Sequence, residues 1–134
     1  MKDFRDMKVW SKAHNIALSA YHLTAHFPKE EMYGLTSQIR RAGASIPANI
    51  AEGCGRDGDG ELARFRQIAA GSASELEYHL LLSKDLGMVS EESHSAIAAQ
   101  LTELRRMLTS LLGKVRSTAL SNPPRRPAAR PRSR

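Results

Sequence analysis

The fold is decided by the stretch Gln38-Ile39-Arg40-Arg41-Ala42-Gly43-Ala44-Ser45-Ile46-Pro47-Ala48-Asn49-Ile50-Ala51-Glu52-Gly53. Apolar residues recur there every three or four positions, which is the spacing of one helix face: Leu35, Ile39, Ala42, Ile46 and Ile50. The spacing continues across Pro47, although a proline inside a helix normally ends or kinks it. We therefore predict one kinked core helix, with small residues around the proline.

Three further helices are predicted on either side of this one, and short links join all four. The first of the four helices runs from about Lys8 to His26, and the second begins at residues 31–35 and ends at Glu52, with a stop at Gly53. The third begins at Asp59 or Gly60 and ends at Leu86-Gly87, with Ile68 on its buried side. Ser90 is the predicted N-cap of the fourth, which reaches Val115. This pattern predicts an all-α protein, an antiparallel up-down four-helix bundle over residues 1–118. From Asn122 onward no residue can build a core, so we predict a disordered Arg/Pro-rich tail over residues 119–134.

The composition of the 134 residues fits one globular domain whose excess charge is concentrated at its C-terminus. The formal net charge is +6, and five of the 20 basic residues follow Asn122. The remainder therefore carries 15 basic and 14 acidic residues. One cysteine, Cys54, excludes an internal disulfide and suits a reducing compartment. With no signal sequence or membrane span in the chain, we expect a cytoplasmic protein.

Several short motifs resemble enzyme or metal signatures, and their contexts argue against each of them. The spacing Gly53-x-Gly55-x-x-Gly58 matches a dinucleotide fingerprint, but it follows a helix rather than a strand. The pair Glu91-x-x-His94 occurs once, whereas a di-iron bundle needs two such pairs and two more glutamates. We interpret Cys54 as a plain thiol rather than a catalytic nucleophile. We therefore predict no enzyme activity, no catalytic residue, no metal site and no cofactor.

Basic residues are the remaining candidates for function. Arg40 and Arg41 are adjacent on the second helix and point about 100° apart. With Lys29, Arg56, Arg64 and Arg66 they supply enough positive charge for a surface that contacts phosphates and binds nucleic acid in a salt-dependent way, and the tail arginines add to that charge. The predicted nucleic-acid-binding residues are Arg40, Arg41, Arg56, Arg125, Arg126 and Arg130. A solvated surface balanced by acidic residues remains the alternative for the body of the chain.

Longer motifs carry a resemblance to a known family. They are Trp10-x-x-Ala13, Phe27-Pro28-x-Glu30, Tyr33-Gly34-Leu35-x-x-Gln38-Ile39-Arg40-Arg41-Ala42, Ser45-Ile46-Pro47-x-Asn49-Ile50-Ala51-Glu52-Gly53 and Ile68-Ala69-x-Gly71-Ser72-x-x-Glu75-Leu76-Glu77. Together, over roughly Phe4 to Val115, they resemble the bacterial four-helix bundle proteins encoded within 23S ribosomal RNA intervening sequences. The accessory protein of diversity-generating retroelements is a relative.

The resemblance implies a non-enzymatic homopentamer with a nucleic-acid-associated role. It implies RNA or DNA, and a reverse transcriptase, as partners. Because no stretch of the chain approaches a membrane span, we expect no membrane partner. Gly43 replaces the usual alanine, and we expect it to loosen the helix by up to about 1 kcal/mol. Arg66 stands where an apolar residue is typical. The alternative function is a protein-protein interaction scaffold with no direct nucleic-acid role.

Overall fold

The computed structural model describes residues 3–56 and 58–121, and four long helices account for most of them. The helices are α1 (Lys8–Thr24), α2 (Leu35–Gly55), α3 (Asp59–Asp85) and α4 (Glu91–Ser121). Short 3₁₀ turns occupy Phe4–Asp6 and Lys29–Glu31. No strand occurs in the described ranges, so the predicted all-α class is confirmed.

The helices contact one another in chain order, and α4 also contacts α1, which closes the bundle. Because the links are short, consecutive helices run in opposite directions. The core is formed by large aliphatic side chains from all four helices, and those that are almost completely buried are Ile16, Ile39, Ile46, Ile50, Leu76, Leu80, Leu101, Leu104 and Leu108.

The central helix α2 runs without interruption through Pro47, which is buried. Its predicted core positions Leu35, Ile39, Ala42, Ile46 and Ile50 are all buried, so the spacing across the proline identified one helix correctly. The predicted stop at Gly53 is wrong, because α2 continues to Gly55. Gly53 instead provides space: a Cβ there would lie 2.9 Å from Cβ of Phe65 on α3.

The helix ends follow local chemistry. Ser90 Oγ accepts a hydrogen bond from the backbone N–H of Ser93 at 3.1 Å, which confirms the predicted N-cap of α4. Gly87 follows α3 with φ of +82°, a conformation that L side chains rarely adopt, so the predicted end of α3 is also confirmed. At the other end, α4 runs to Ser121, three residues past the predicted bundle boundary, and residues 122–134 lie outside the described ranges.

One prediction about a side chain was wrong. Ile68, placed on the buried side of α3, is 40% exposed. The reason is that Phe65, Ala69 and Leu76 already fill the inner face of α3, and Ile68 lies on the helix's outer side. Arg66 is half-buried, and its Nε is buried without a hydrogen-bond partner among the described residues.

Candidate nucleic-acid interface

Arg40 points back from α2 onto the C-terminal turn of α1. Its Nε donates to Thr24 Oγ1 at 2.8 Å, and its Nη2 donates to the Tyr21 carbonyl at 3.4 Å. The guanidinium carbon lies 4.7 Å from the centre of the Tyr21 ring. The last carbonyls of a helix lack intrahelical partners and attract cations. Arg40 therefore joins α2 to the end of α1, and two of its nitrogen atoms donate to protein groups.

Arg41, the next residue, has a different environment. It is exposed, and its Nη2 donates to Gln38 Oε1 at 3.3 Å on the same helix. No carboxylate of the described chain lies within ion-pair distance of it. The predicted divergence of these two adjacent arginines around α2 is thus seen directly: one is held by protein groups, and the other faces outward with its charge uncompensated.

Arg56 lies at the opposite end of α2, beside the start of α3. Its Nη2 is 2.8 Å from Glu52 Oε2, and its guanidinium lies 5.4 Å from the centre of the Phe65 ring. The hydrogen bond and charge of Glu52 raise the pKa of Arg56 above its ordinary value. Arg64 lies over the same ring at 4.3 Å and pairs with Glu61 at 3.2 Å. Phe65 thus gathers two arginines at the corner between α2 and α3.

The structure therefore separates the predicted site into two parts. Arg56 follows Arg40 by sixteen positions along α2, a rise of about 24 Å. The C-terminal end of α4 lies at the Arg56 end of the bundle, since α3 and α4 are antiparallel neighbours. Arg125, Arg126 and Arg130 lie outside the described residues. Arg56 is the predicted body residue that shares an end of the bundle with the point where residues 122–134 begin.

One sequence signal for this end lies in the order of the charges rather than in their total. From Leu104 to Arg134 the chain has nine basic residues and no acidic one. Two of the nine are paired on the bundle, Arg105 with Glu77 at 2.7 Å and Arg106 with Glu103 at 3.5 Å. The other seven follow Leu112 in the sequence, and five of them follow Asn122.

Sequence reasoning also missed an apolar groove between α1 and α2, which we call the α1–α2 groove. Its volume is about 420 Å³, and its lining residues are Phe4, Trp10, His14, Ala17, Leu18, Tyr21, Ala44, Pro47, Ala48 and Ala51. The α2 floor consists of small residues, while aromatic side chains stand on the α1 wall. The recurrence of alanine at positions 44, 48 and 51, opposite the isoleucine face, was the signal that could have revealed it.

The described residues hold no cluster of three or more His, Cys, Asp or Glu side chains suited to a metal ion. Cys54 Sγ lies 2.9 Å from Met7 Sδ, so the thiol is packed against the start of α1. Within residues 3–56 and 58–121, no helix combines the length and apolar character that crossing a membrane requires.

Comparison with known proteins places this bundle in a family. A family model for 23S rRNA-intervening sequence proteins matches residues 5–110, which is most of the chain and includes residues of all four helices. The chain belongs to that family. No curated protein matches it.

A solved structure extends this family assignment to the three-dimensional fold. The crystal structure of a Bacteroides thetaiotaomicron protein of unknown function from the S23 ribosomal protein family matches with a TM-score of 0.70 and 26% sequence identity. The match covers 78% of this chain and 97% of that one. Family membership therefore accounts for the motifs around Pro47, whereas residues 111–134 lie beyond the matched family region.

Proposed function

We propose that this intervening-sequence family protein is a non-enzymatic, homo-oligomeric bundle that binds nucleic acid at the Arg56 end. The observation that carries the proposal is the absence of any acidic residue from Leu104 to Arg134, where nine basic residues occur. Such a segment attracts a polyanion, because no carboxylate within it competes for the arginines. Contacts of this kind are made to phosphates, so the binding is weakly sequence-specific and falls steeply with salt.

Arg40 and Arg56 have different places in this proposal. Arg40 is committed to Thr24 and the Tyr21 carbonyl, so its loss would weaken the bundle before it weakened a nucleic-acid contact. Arg56 and Arg64 are exposed at the end of the bundle where α4 ends. Because each is paired with a glutamate, their contribution to phosphate binding is smaller than that of unpaired arginines.

The homo-oligomeric part of the proposal is supported by exposed apolar surface. Leu18, Tyr21, Ile68 and Tyr78 are between 40% and 57% exposed, and the first two line the α1–α2 groove. Surfaces of this kind commonly mark protein contacts. Five copies is the number that the family resemblance implies, and light scattering at micromolar concentration measures it. A monomer there would overturn this part of the proposal.

The experiment for nucleic acid is a salt-stepped binding titration with structured RNA, single-stranded DNA and duplex DNA. The full chain is compared with a full-length variant in which Arg125, Arg126, Arg130, Arg132 and Arg134 are all glutamine. For single strands, we expect the slope of log K against log salt to fall by up to about 0.7 for each phosphate that the variant no longer neutralises.

Two variants on the bundle serve as a matched pair in the same titration. Arg56→Gln removes charge at the proposed site, and Lys29→Gln removes the same charge at the opposite end, on an exposed residue. We expect the first to weaken binding and the second to leave it unchanged. Equal effects of the two would contradict the assignment of the site to one end.

The protein-interaction scaffold is the second candidate, and the α1–α2 groove is the observation that favours it. Under this function the full chain would show no salt-dependent binding to any of the three nucleic acids. A reverse transcriptase, the protein partner that the resemblance implies, would then be captured equally by the wild type and by the five-glutamine variant.

A further inference from the structure

A second apolar surface lies on the outer side of α3, and we call it the α3 stripe. Its residues follow the three-and-four spacing of one helix face: Ile68, Gly71, Glu75 and Tyr78. Ile68 and Tyr78 are 40% and 57% exposed, and a Cβ on Gly71 would meet nothing within 4 Å. The stripe is thus a narrow apolar ridge, flat at its glycine, with one carboxylate on it.

We propose that the α3 stripe of a second copy of this chain docks in the α1–α2 groove. The inference rests on the proposed homo-oligomerisation, and it specifies which two surfaces meet. The groove has a floor of alanines beside one aromatic wall, a shape that accepts a ridge of moderate side chains. Docking would remove from water the exposed parts of Leu18 and Tyr21 in the groove and of Ile68 on the stripe.

Charge complementarity selects this occupant. Arg41 lies one helical turn before Ala44 and so continues the groove's line of residues along α2. It has no carboxylate partner in the described chain. On the stripe, Glu75 has one basic nitrogen nearby, His79 Nε2, at 3.6 Å, which is too long for a hydrogen bond. An uncompensated arginine on one surface therefore faces an under-used carboxylate on the other.

The spacing along the two helices agrees with the charges. If α3 of one copy lies antiparallel on α2 of another with Glu75 level with Arg41, then Ile68 is level with Ala48. Gly71 is then within one residue's rise of Ala44, about 1.5 Å. A large side chain thus meets a small one, and the ion pair lies at one end of the contact. A parallel arrangement with the same ion pair would carry Ile68 away from the groove.

The antiparallel arrangement also agrees with a closed ring. Within one copy α2 and α3 run in opposite directions, and rotation about an axis parallel to the helices keeps every direction. A neighbour generated by that rotation therefore presents α3 antiparallel to α2. Groove and stripe lie on different helices, so the contact is heterologous and each copy uses one surface on each side.

The test is a charge exchange in the full chain, followed by light scattering and sedimentation without nucleic acid. We expect Arg41→Glu or Glu75→Arg alone to raise the dissociation constant of assembly about tenfold or more, because each places like charges in the contact. The double variant restores the ion pair in reverse and should recover most of the affinity. A second variant, Ala48→Arg, fills the groove floor and should dissociate the assembly without rescue by Glu75→Arg.

Controls separate the possible failures. Glu91→Arg reverses an exposed charge on α4, away from both surfaces, and should leave the mass unchanged, while circular dichroism confirms that each variant stays helical. A wild-type monomer would overturn both the proposed homo-oligomer and this contact. A wild-type oligomer that tolerates the single exchanges would overturn the contact alone. If the five-glutamine variant dissociates while the single exchanges do not, the arginines of residues 122–134, and not this contact, hold the assembly together.

Discussion

The α2–α3 contact and the α1–α2 contact share helix α2, but only the α1–α2 contact leaves an open groove at the surface. Toward α3, Gly53 lies against Phe65, and Ser45 Oγ is 2.7 Å from Ser72 Oγ. Toward α1, Gly43 allows a similar approach, since a Cβ there would lie 3.2 Å from Cβ of Ala20. Outside that point the α2 residues are alanines, which leaves the α1–α2 groove. The size of the outer side chains therefore decides whether two closely packed helices leave a surface for a partner.

The largest effect in this comparison is expected from Gly53→Ala. The added Cβ would lie 2.9 Å from Phe65 Cβ and 3.2 Å from Leu62 Cδ1, and the first of these atoms is fixed to the α3 backbone. We expect a loss of about 2 kcal/mol in the free energy of unfolding, measured by chemical denaturation. Gly60→Ala, where a Cβ would meet nothing within 4 Å, is the matched control and should not destabilise the protein. Equal losses in both variants would contradict a close approach at Gly53.

Arg40→Met is expected to have the next largest effect, and it acts on the α1–α2 contact. It removes the donors that serve Thr24 Oγ1 and the Tyr21 carbonyl, while methionine keeps the apolar part of the side chain. We expect a loss of about 1.5 kcal/mol, since the donor is charged. Thermal unfolding at several protein concentrations provides the contrast with Arg41→Met. The Arg40 effect should be independent of concentration, and the Arg41 effect should depend on it if Arg41 acts between copies.

Ser72→Ala tests the polar part of the α2–α3 contact. Ser45 Oγ keeps its hydrogen bond from Asn49 Nδ2 at 2.9 Å, so the loss should be modest, about 1 kcal/mol. Because the two hydroxyls act as a pair, adding Ser45→Ala should cost less than it does in the wild type. A double-mutant cycle measures this coupling. Strict additivity would show that the hydroxyl pair does not hold the two helices together.

Gly43→Ala should have the smallest effect of the four. Alanine favours the helix by about 1 kcal/mol over glycine, but its Cβ would press on Ala20 at 3.2 Å. We expect these two effects to offset each other to within about 0.5 kcal/mol in a denaturation experiment. A loss as large as that of Gly53→Ala would mean that the two contacts of α2 are equally tight, and the comparison would fail.

The sequence predicted the elements of this fold well because each is marked locally. Helical spacing continued through Pro47, Ser90 marked the start of α4, and Gly87 followed the end of α3. Gly53 was misread because glycine has two uses, ending a helix and making room for a neighbour, and only the position of α3 distinguishes them. Ile68 was misplaced for a related reason: its spacing lies at the edge of the inner face, where helix packing decides exposure.

The candidate site shows the same division. The order of the charges along the chain determined that the C-terminal segment carries the excess positive charge, because that order can be read without the fold. Membership of the family and the four-helix class were likewise contained in local patterns. Only the tertiary structure decided that Arg40 binds the end of α1 and that Arg41 faces outward beside an apolar groove. It also placed Arg56 about 24 Å from Arg40 along the axis of α2. These outcomes depend on which helices are neighbours and how closely they approach, quantities set by the packing of side chains far apart in sequence.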